Sequence, residues 1–124
     1  MDLNKLIIEV EKIKGEVKRL KYLVSKHEDI IIIGNGGSNS IASHIAQDYT
    51  KCLDKRAISF SDPSRLTCYI NDYGRDNAYM EFIKDFGNTK TLVILISSSG
   101  NSMNIINAAK YCDETFTEYV ALSG

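Results

Sequence analysis

The sequence predicts an α/β fold: a doubly wound parallel sheet preceded by a long N-terminal helix. Three observations carry that expectation. The runs Ile30-Ile31-Ile32-Ile33 and Leu92-Val93-Ile94-Leu95-Ile96 are apolar without alternation, as parallel strands covered on both faces are. Each run ends in a loop of small polar residues, Gly34-Asn35-Gly36-Gly37-Ser38 or Ser97-Ser98-Ser99-Gly100-Asn101-Ser102, and each loop opens a helical pattern. Strand and helix patterns then alternate along the chain, the signature of a sheet with helices on both faces.

The elements follow in order. Leu3, Leu6, Val10, Ile13, Val17, Leu20 and Val24 are spaced three and four apart, so one helix is expected from about residue 2 to residue 26. Gly15 weakens it locally by roughly 1 kcal/mol relative to alanine. The seam is that of a heptad repeat, and it packs either on its own domain or against a partner subunit. Ile30–Ile33 is the first strand, and a helix is expected from about Asn39 to Lys51. A second strand is expected near Ala57–Phe60. Ser61-Asp62-Pro63-Ser64 contains the only proline and reads as a turn or a helix start. Leu66–Ile70 fits strand or helix equally, and Asn71-Asp72-Tyr73-Gly74 reads as a turn. Asn77–Asp85 is helical and closes at Gly87. Leu92–Ile96 is the third strand, Ser102–Asp113 the next helix, and Tyr119–Leu122 a fourth strand.

The 124 residues suit one domain, 1–124, with an N-terminal oligomerisation helix at 1–27 and an α/β core at 28–124. A net charge of −1 leaves no basic excess for nucleic acid or an acidic membrane, so neither is an expected partner. The longest apolar run, five residues, is too short to cross a bilayer. The charged, amphipathic start is unlike a signal peptide, so a cytoplasmic location is expected. Cys52, Cys68 and Cys112 are odd in number, far apart and without a CxxC, which favours free thiols, each read as a small buried hydrophobe.

The two loops carry the chemistry. At the carboxyl ends of strands in an open parallel sheet, small residues let backbone N–H groups approach an anion, and hydroxyls add donors. The first loop does not complete G-x-G-x-x-G, because position 39 is Asn, and no Gly-Lys-Ser/Thr is present, so no nucleotide cofactor is expected. Ser97, Ser98, Ser99 and Ser102 surround Gly100, with Ser102 also at the N-cap position of the next helix. Two such loops suggest a phosphate-bearing ligand held between them. On the Asn39–Lys51 helix, Ile41, Ala42, Ile45, Ala46 and Tyr49 span an apolar arc of roughly 140° at 100° per residue. His44 and Asp48, four apart, sit at the edge of that arc and are expected to be partly buried. Three readings stand for them: a structural hydrogen bond, an acid/base or substrate-contacting pair, or half of a metal site. Asn71 and Asp72 are further ligand candidates.

These three motifs together, with the helix after the first loop, resemble the sugar isomerase (SIS) domain, and within it most closely the bacterial phosphoheptose isomerases. The resemblance covers nearly the whole chain in the right order. It implies a flavodoxin-like parallel sheet whose last strand and helix fall outside these residues. It also implies an aldose–ketose isomerase that interconverts sedoheptulose 7-phosphate and D-glycero-D-manno-heptose 7-phosphate, for lipopolysaccharide or capsule. Implied substrate contacts are Asn35, Gly36, Gly37, Asn71, Asp72, Ser97, Ser98, Ser99 and Ser102. A homotetramer packed through the N-terminal helices is implied, with active sites between subunits. The family's catalytic base and zinc ligand is a glutamate, matched here by Asp48, which also counts as a substrate contact. His44 matches a histidine zinc ligand, so zinc is the implied cofactor. Aspartate is one methylene shorter than glutamate, a difference in reach of about 1.5 Å. The family's remaining site residues, a glutamine and a histidine, belong to a helix that would follow Gly124.

Overall fold

The computed structural model describes residues 2–124. Its centre is a four-stranded, wholly parallel sheet in the order β2-β1-β3-β4. The strands are β1 (Asp29–Gly34), β2 (Arg56–Ser59), β3 (Thr91–Ser97) and β4 (Tyr119–Ser123). The helices are α1 (Leu3–Lys12), α2 (Lys14–Lys26), α3 (Gly37–Leu53), α4 (Pro63–Tyr73), α5 (Ala78–Phe86) and α6 (Met103–Glu114).

The apolar runs are continuous because both faces of the sheet are covered. Ile31, Ile33, Val93 and Leu95 point to one side, against Phe60, Tyr79, Phe82, Ile105 and Ala108 of the β2–α4 turn, α5 and α6. Ile30, Ile32, Leu92 and Ile94 point to the other, against Leu23 and Val24 of α2 and Ala42 and Ala46 of α3. The central strands β1 and β3 pair in register from Asp29↔Thr91 to Gly34↔Ile96, so their carboxyl ends stand side by side. The chain leaves β1 for α3 on one face and β3 for α6 on the other. This is the topological switch point of an open α/β sheet.

Three expectations are corrected, and one left open is decided. The N-terminal segment is two helices, broken at Ile13 (φ −92°, ψ 2°), where its N–H bonds back to Val10 instead of Glu9. Gly15, two residues on, lowers the helical preference there. Leu66–Ile70 is helical, because Asp62 accepts the Arg65 N–H at 2.9 Å and Pro63 takes the first helical position. Asn71-Asp72-Tyr73 is therefore no turn but the last turn of α4, which ends at Gly74 (φ 82°). Cys112 is buried as expected, whereas Cys52 and Cys68 are exposed on the outer faces of their helices.

The N-terminal seam has two fates. Leu23 and Val24 are buried on the sheet, with Leu20 packed beside them. Leu3, Leu6, Val10, Ile13 and Val17 are exposed, and α1 buries no residue at all. None of the described helices is long and apolar enough to cross a membrane.

Candidate functional site

The turn after β1 is built from the backbone outward. Gly36 (φ 52°, ψ −122°) lies where only glycine is comfortable, and it starts α3. Asn35 and Gly36 carbonyls accept the first N–H groups of the helix, from Ser38, Asn39 and Ser40. Asn39 occupies the position where a dinucleotide fingerprint would place its third glycine. Its carboxamide accepts the Gly34 N–H at 3.2 Å and donates to the Phe60 carbonyl at 3.0 Å, tying the ends of β1 and β2 together. Tyr79 donates its hydroxyl to the Gly34 carbonyl at 2.5 Å, and burial raises its pKa, so the phenol stays protonated.

The loop after β3 is shaped by its own serines. The buried Ser97 hydroxyl accepts the Gly100 N–H at 3.1 Å, and Ser99 accepts the Asn101 N–H at 3.2 Å. Both hydroxyls keep a proton to donate. Ser102 holds the N-cap position of α6 as expected, but its hydroxyl makes no capping bond and is left for other partners.

Between these loops, across the ends of β1 and β3, lies a cleft of about 700 Å³. Asn35, Gly36 and Asn39 line one side, and Asn101, Ser102, Met103 and Asn104 the other. Leu66 and Ile70 of α4, with Arg75, Asp76, Ala78 and Tyr79, close the third. The amino ends of α3 and α6 open onto it; Ser38, Asn39 and Ser40 spend their N–H groups on the Asn35 and Gly36 carbonyls, and Ile105 and Ile106 theirs on Ser102, so each end contributes its positive dipole rather than a full set of free donors. Arg75 is the only cation in this lining. The lining offers a small polyhydroxylated ligand many neutral donors and acceptors, two helix amino termini, and one guanidinium whose Nε lies 3.9 Å from the Asp76 carboxylate.

The structure gathers only part of the sequence-predicted set here. Asn35, Gly36 and Ser102 line the cleft, and Gly37 is the first residue of α3. Ser97 and Ser99 are outside that lining, and Ser98 lies instead beside a second groove with Ile13, Val17 and Leu122. Asn71 and Asp72 are exposed near the end of α4 and outside the lining; the Asn71 amide donates to Asp72 at 3.2 Å, and the Cys68 thiol donates to it at 3.6 Å. Asn39, Asn104, Arg75, Asp76 and Tyr79 were missed as cleft residues. The signal for Asn104 was its place in the first turn after Ser102; that for Arg75 was a cation directly after Gly74.

His44 and Asp48 require the largest correction. Their Nε2 and Oδ2 atoms are 3.3 Å apart, but the side chains are 78% and 54% exposed and lie outside the cleft lining. The buried arc of α3 centres on Ala42 and Ala46, while Ile41, counted in the arc, is 53% exposed. With Ile41 outside it, the pair on that side faces solvent, and the partial burial expected of it is not found. Two donors fill half of a tetrahedral zinc shell. No cluster of three or more His, Cys, Asp or Glu is present among the described residues, so these residues alone do not make a zinc site.

A parallel sheet in this order, with a polar cleft at its switch point between two small-residue loops, defines an open, doubly wound α/β domain with a candidate small-ligand cleft. The family profile described as SIS domain matches residues 8–124, and the chain belongs to that family. Its relatives narrow the class. The phosphoheptose isomerase of Fusobacterium nucleatum subsp. nucleatum is 38% identical over 116 residues, covering 87% of this chain and 60% of that protein. That of Cytophaga hutchinsonii is 39% identical over 100 residues, covering 77% of this chain and 52% of that protein. The chain thus spans a little over half the length of these relatives. The structure of phosphoheptose isomerase from Neisseria gonorrhoeae superposes with a TM-score of 0.88 at 31% identity, over 97% of this chain and 68% of the other. The chain is therefore a phosphoheptose isomerase-like SIS protein.

Proposed function

We propose that the chain takes sedoheptulose 7-phosphate into this cleft and interconverts it with D-glycero-D-manno-heptose 7-phosphate through an enediol. The observation that carries the reading is the cleft itself, with two helix amino termini and a row of neutral donors over the ends of β1 and β3. In this reading the Ser97–Ser102 loop and the start of α6 hold the phosphate, and Asn35, Gly36 and Gly37 hold the sugar. Asn71 and Asp72 approach from the end of α4. Isomerisation needs a base that removes a proton from C1 of the ketose while the C2 carbonyl oxygen gains one. Return of a proton to C2 and loss of one from the C1 hydroxyl then gives the aldose. Asp48 is the residue assigned to the proton at carbon.

Asp48 lies outside the cleft of its own chain, so this role calls for a second subunit that brings α3 against a neighbouring cleft. The uncovered apolar face of α1 and the first half of α2 supports such an assembly, a homotetramer in the family pattern. His44 and Asp48 contribute two ligands to a zinc only if others come from outside the described residues.

The exposure of His44 and Asp48 favours one second reading, a module that binds the sugar phosphate without turning it over. An isomerase assay on sedoheptulose 7-phosphate, with Asp48→Asn as control, separates the two. Turnover lost in the variant supports the isomerase. Thermal stabilisation by the sugar phosphate without turnover supports the binding module. Neither turnover nor stabilisation refutes both.

A further inference from the structure

One side-chain pair joins the two loops directly. Asn35 Nδ2 donates to Asn104 Oδ1 at 3.0 Å, and Asn104 Nδ2 donates to Asn35 Oδ1 at 2.8 Å, across 69 residues of sequence. Asn104 Oδ1 also accepts the backbone N–H of Ile105 at 2.9 Å. A backbone N–H can only donate, so this bond settles which end of the Asn104 carboxamide is oxygen. The remaining end must then be the NH₂ group that meets Asn35 Oδ1, and Asn35 has one orientation that satisfies both bonds. The order runs from the α6 backbone to Asn104 and from Asn104 to Asn35. Asn104 Oδ1 has both lone pairs occupied, whereas the Asn35 carboxamide keeps one N–H and one lone pair unspent. Those of the exposed Asn35 remain for a ligand in the cleft.

We infer that Asn104 is a positioning residue for the cleft: its reciprocal amide pair fixes the orientation in which Asn35 meets the sugar. The inference rests on the reading of this cleft as the phosphosugar site. It goes beyond that reading by assigning a role to a residue in the first turn of α6 that makes no necessary contact with ligand. Without Asn104, the Asn35 carboxamide rotates freely and has to be ordered when the ligand arrives. Ordering one side chain on binding corresponds to roughly two- to ten-fold weaker affinity.

The test is a double-mutant cycle by titration calorimetry with sedoheptulose 7-phosphate, using Asn104→Ala, Asn35→Ala and the double variant, with melting temperatures to confirm folding. If Asn104 acts through Asn35, Asn104→Ala weakens binding in the parent chain and has no further effect in the Asn35→Ala background. Parental affinity for Asn104→Ala, or losses that multiply in the double variant, would overturn the inference. A second readout needs no ligand: the side-chain amide protons of Asn35, followed by NMR. They are expected to be shifted and slow to exchange in the parent chain and to lose both properties in Asn104→Ala. Unchanged resonances would overturn the pair's role. Failure of the parent chain to bind the sugar phosphate would refute the phosphosugar reading instead, and the amide resonances would still decide the inference.

Discussion

A Cβ added at Gly34 would stand 2.8 Å from both the carbonyl carbon and the Cβ of Ser38, where backbone has no room to yield. Three residues later, a Cβ at Gly37 would meet nothing within 4 Å. The two glycines should therefore respond with opposite signs. Gly34→Ala is expected to cost about 1–3 kcal/mol through overpacking of the turn. Gly37→Ala, in the first turn of a helix, is expected to be neutral or to gain up to about 1 kcal/mol by restricting the unfolded chain. Denaturant midpoints at unchanged slope measure both, and equal losses would contradict this account. The cysteines give a second residue-scale prediction. Burial pushes the Cys112 thiol up to about 12, and the Asp72 carboxylate raises that of Cys68. The thiolate is the reactive species, so a raised pKa means slower alkylation at pH 8. Two of the three thiols should label in the native protein, exposed Cys52 before Cys68, and Cys112 only on unfolding. Asp72→Asn should speed Cys68 alone. The sequence identified these glycines and cysteines as small residues at plausible places. It did not distinguish them, because crowding by Ser38 or the approach of Asp72 depends on side-chain distances that spacing does not encode.

The N-terminal elements show what periodicity reveals and what it hides. The three-four spacing correctly marked an apolar seam, but a seam does not say what covers it. Residue by residue, Leu23 and Val24 are taken by the sheet, and the seam positions from Leu3 to Val17 are left exposed by the described residues. The break at Ile13 falls inside the exposed stretch and separates α1 from the helix that carries the buried Leu23 and Val24. Two substitutions along the one seam should then behave differently. Leu23→Ala removes a buried side chain and is expected to cost about 2–5 kcal/mol in stability. Leu6→Asp places a charge on an exposed face, so it should leave the fold intact and, under the proposed homotetramer, reduce the sedimenting size. A Leu6→Asp protein that sediments like its parent would rule out α1 as the assembly surface. The α4 segment teaches a related lesson. Leu66–Ile70 was ambiguous by pattern alone, and the decision lay just upstream, where Asp62 and Pro63 form a helix start. The sheet, by contrast, was readable nearly to the residue, since a strand buried on both faces must be continuously apolar.

At the scale of the whole molecule, the cleft and the His44/Asp48 pair are separate features of one chain. The cleft lies over the ends of β1 and β3, whereas the pair stands about two to three turns along α3, facing solvent. The motifs could be assigned to one ligand from sequence, but whether one chain holds all of them around it depends on the direction each helix face takes. If catalysis joins the two features, it joins them across subunits, and binding should separate from turnover. Leu6→Asp is then expected to bind sedoheptulose 7-phosphate in its intact cleft while turning over little or none. The stricter experiment mixes two inactive variants, Asp48→Asn and a cleft variant such as Asn35→Asp, whose carboxylate repels a phosphate-bearing ligand. In a shared site, a mixed assembly contains clefts with native Asn35 facing helices with native Asp48. Turnover should reappear after the two proteins are unfolded together and refolded, and it should fall on dilution in step with dissociation. Failure of turnover to reappear in the co-refolded mixture, or parental turnover by a dissociated Leu6→Asp protein, would place both features in one chain's site and contradict the composite arrangement.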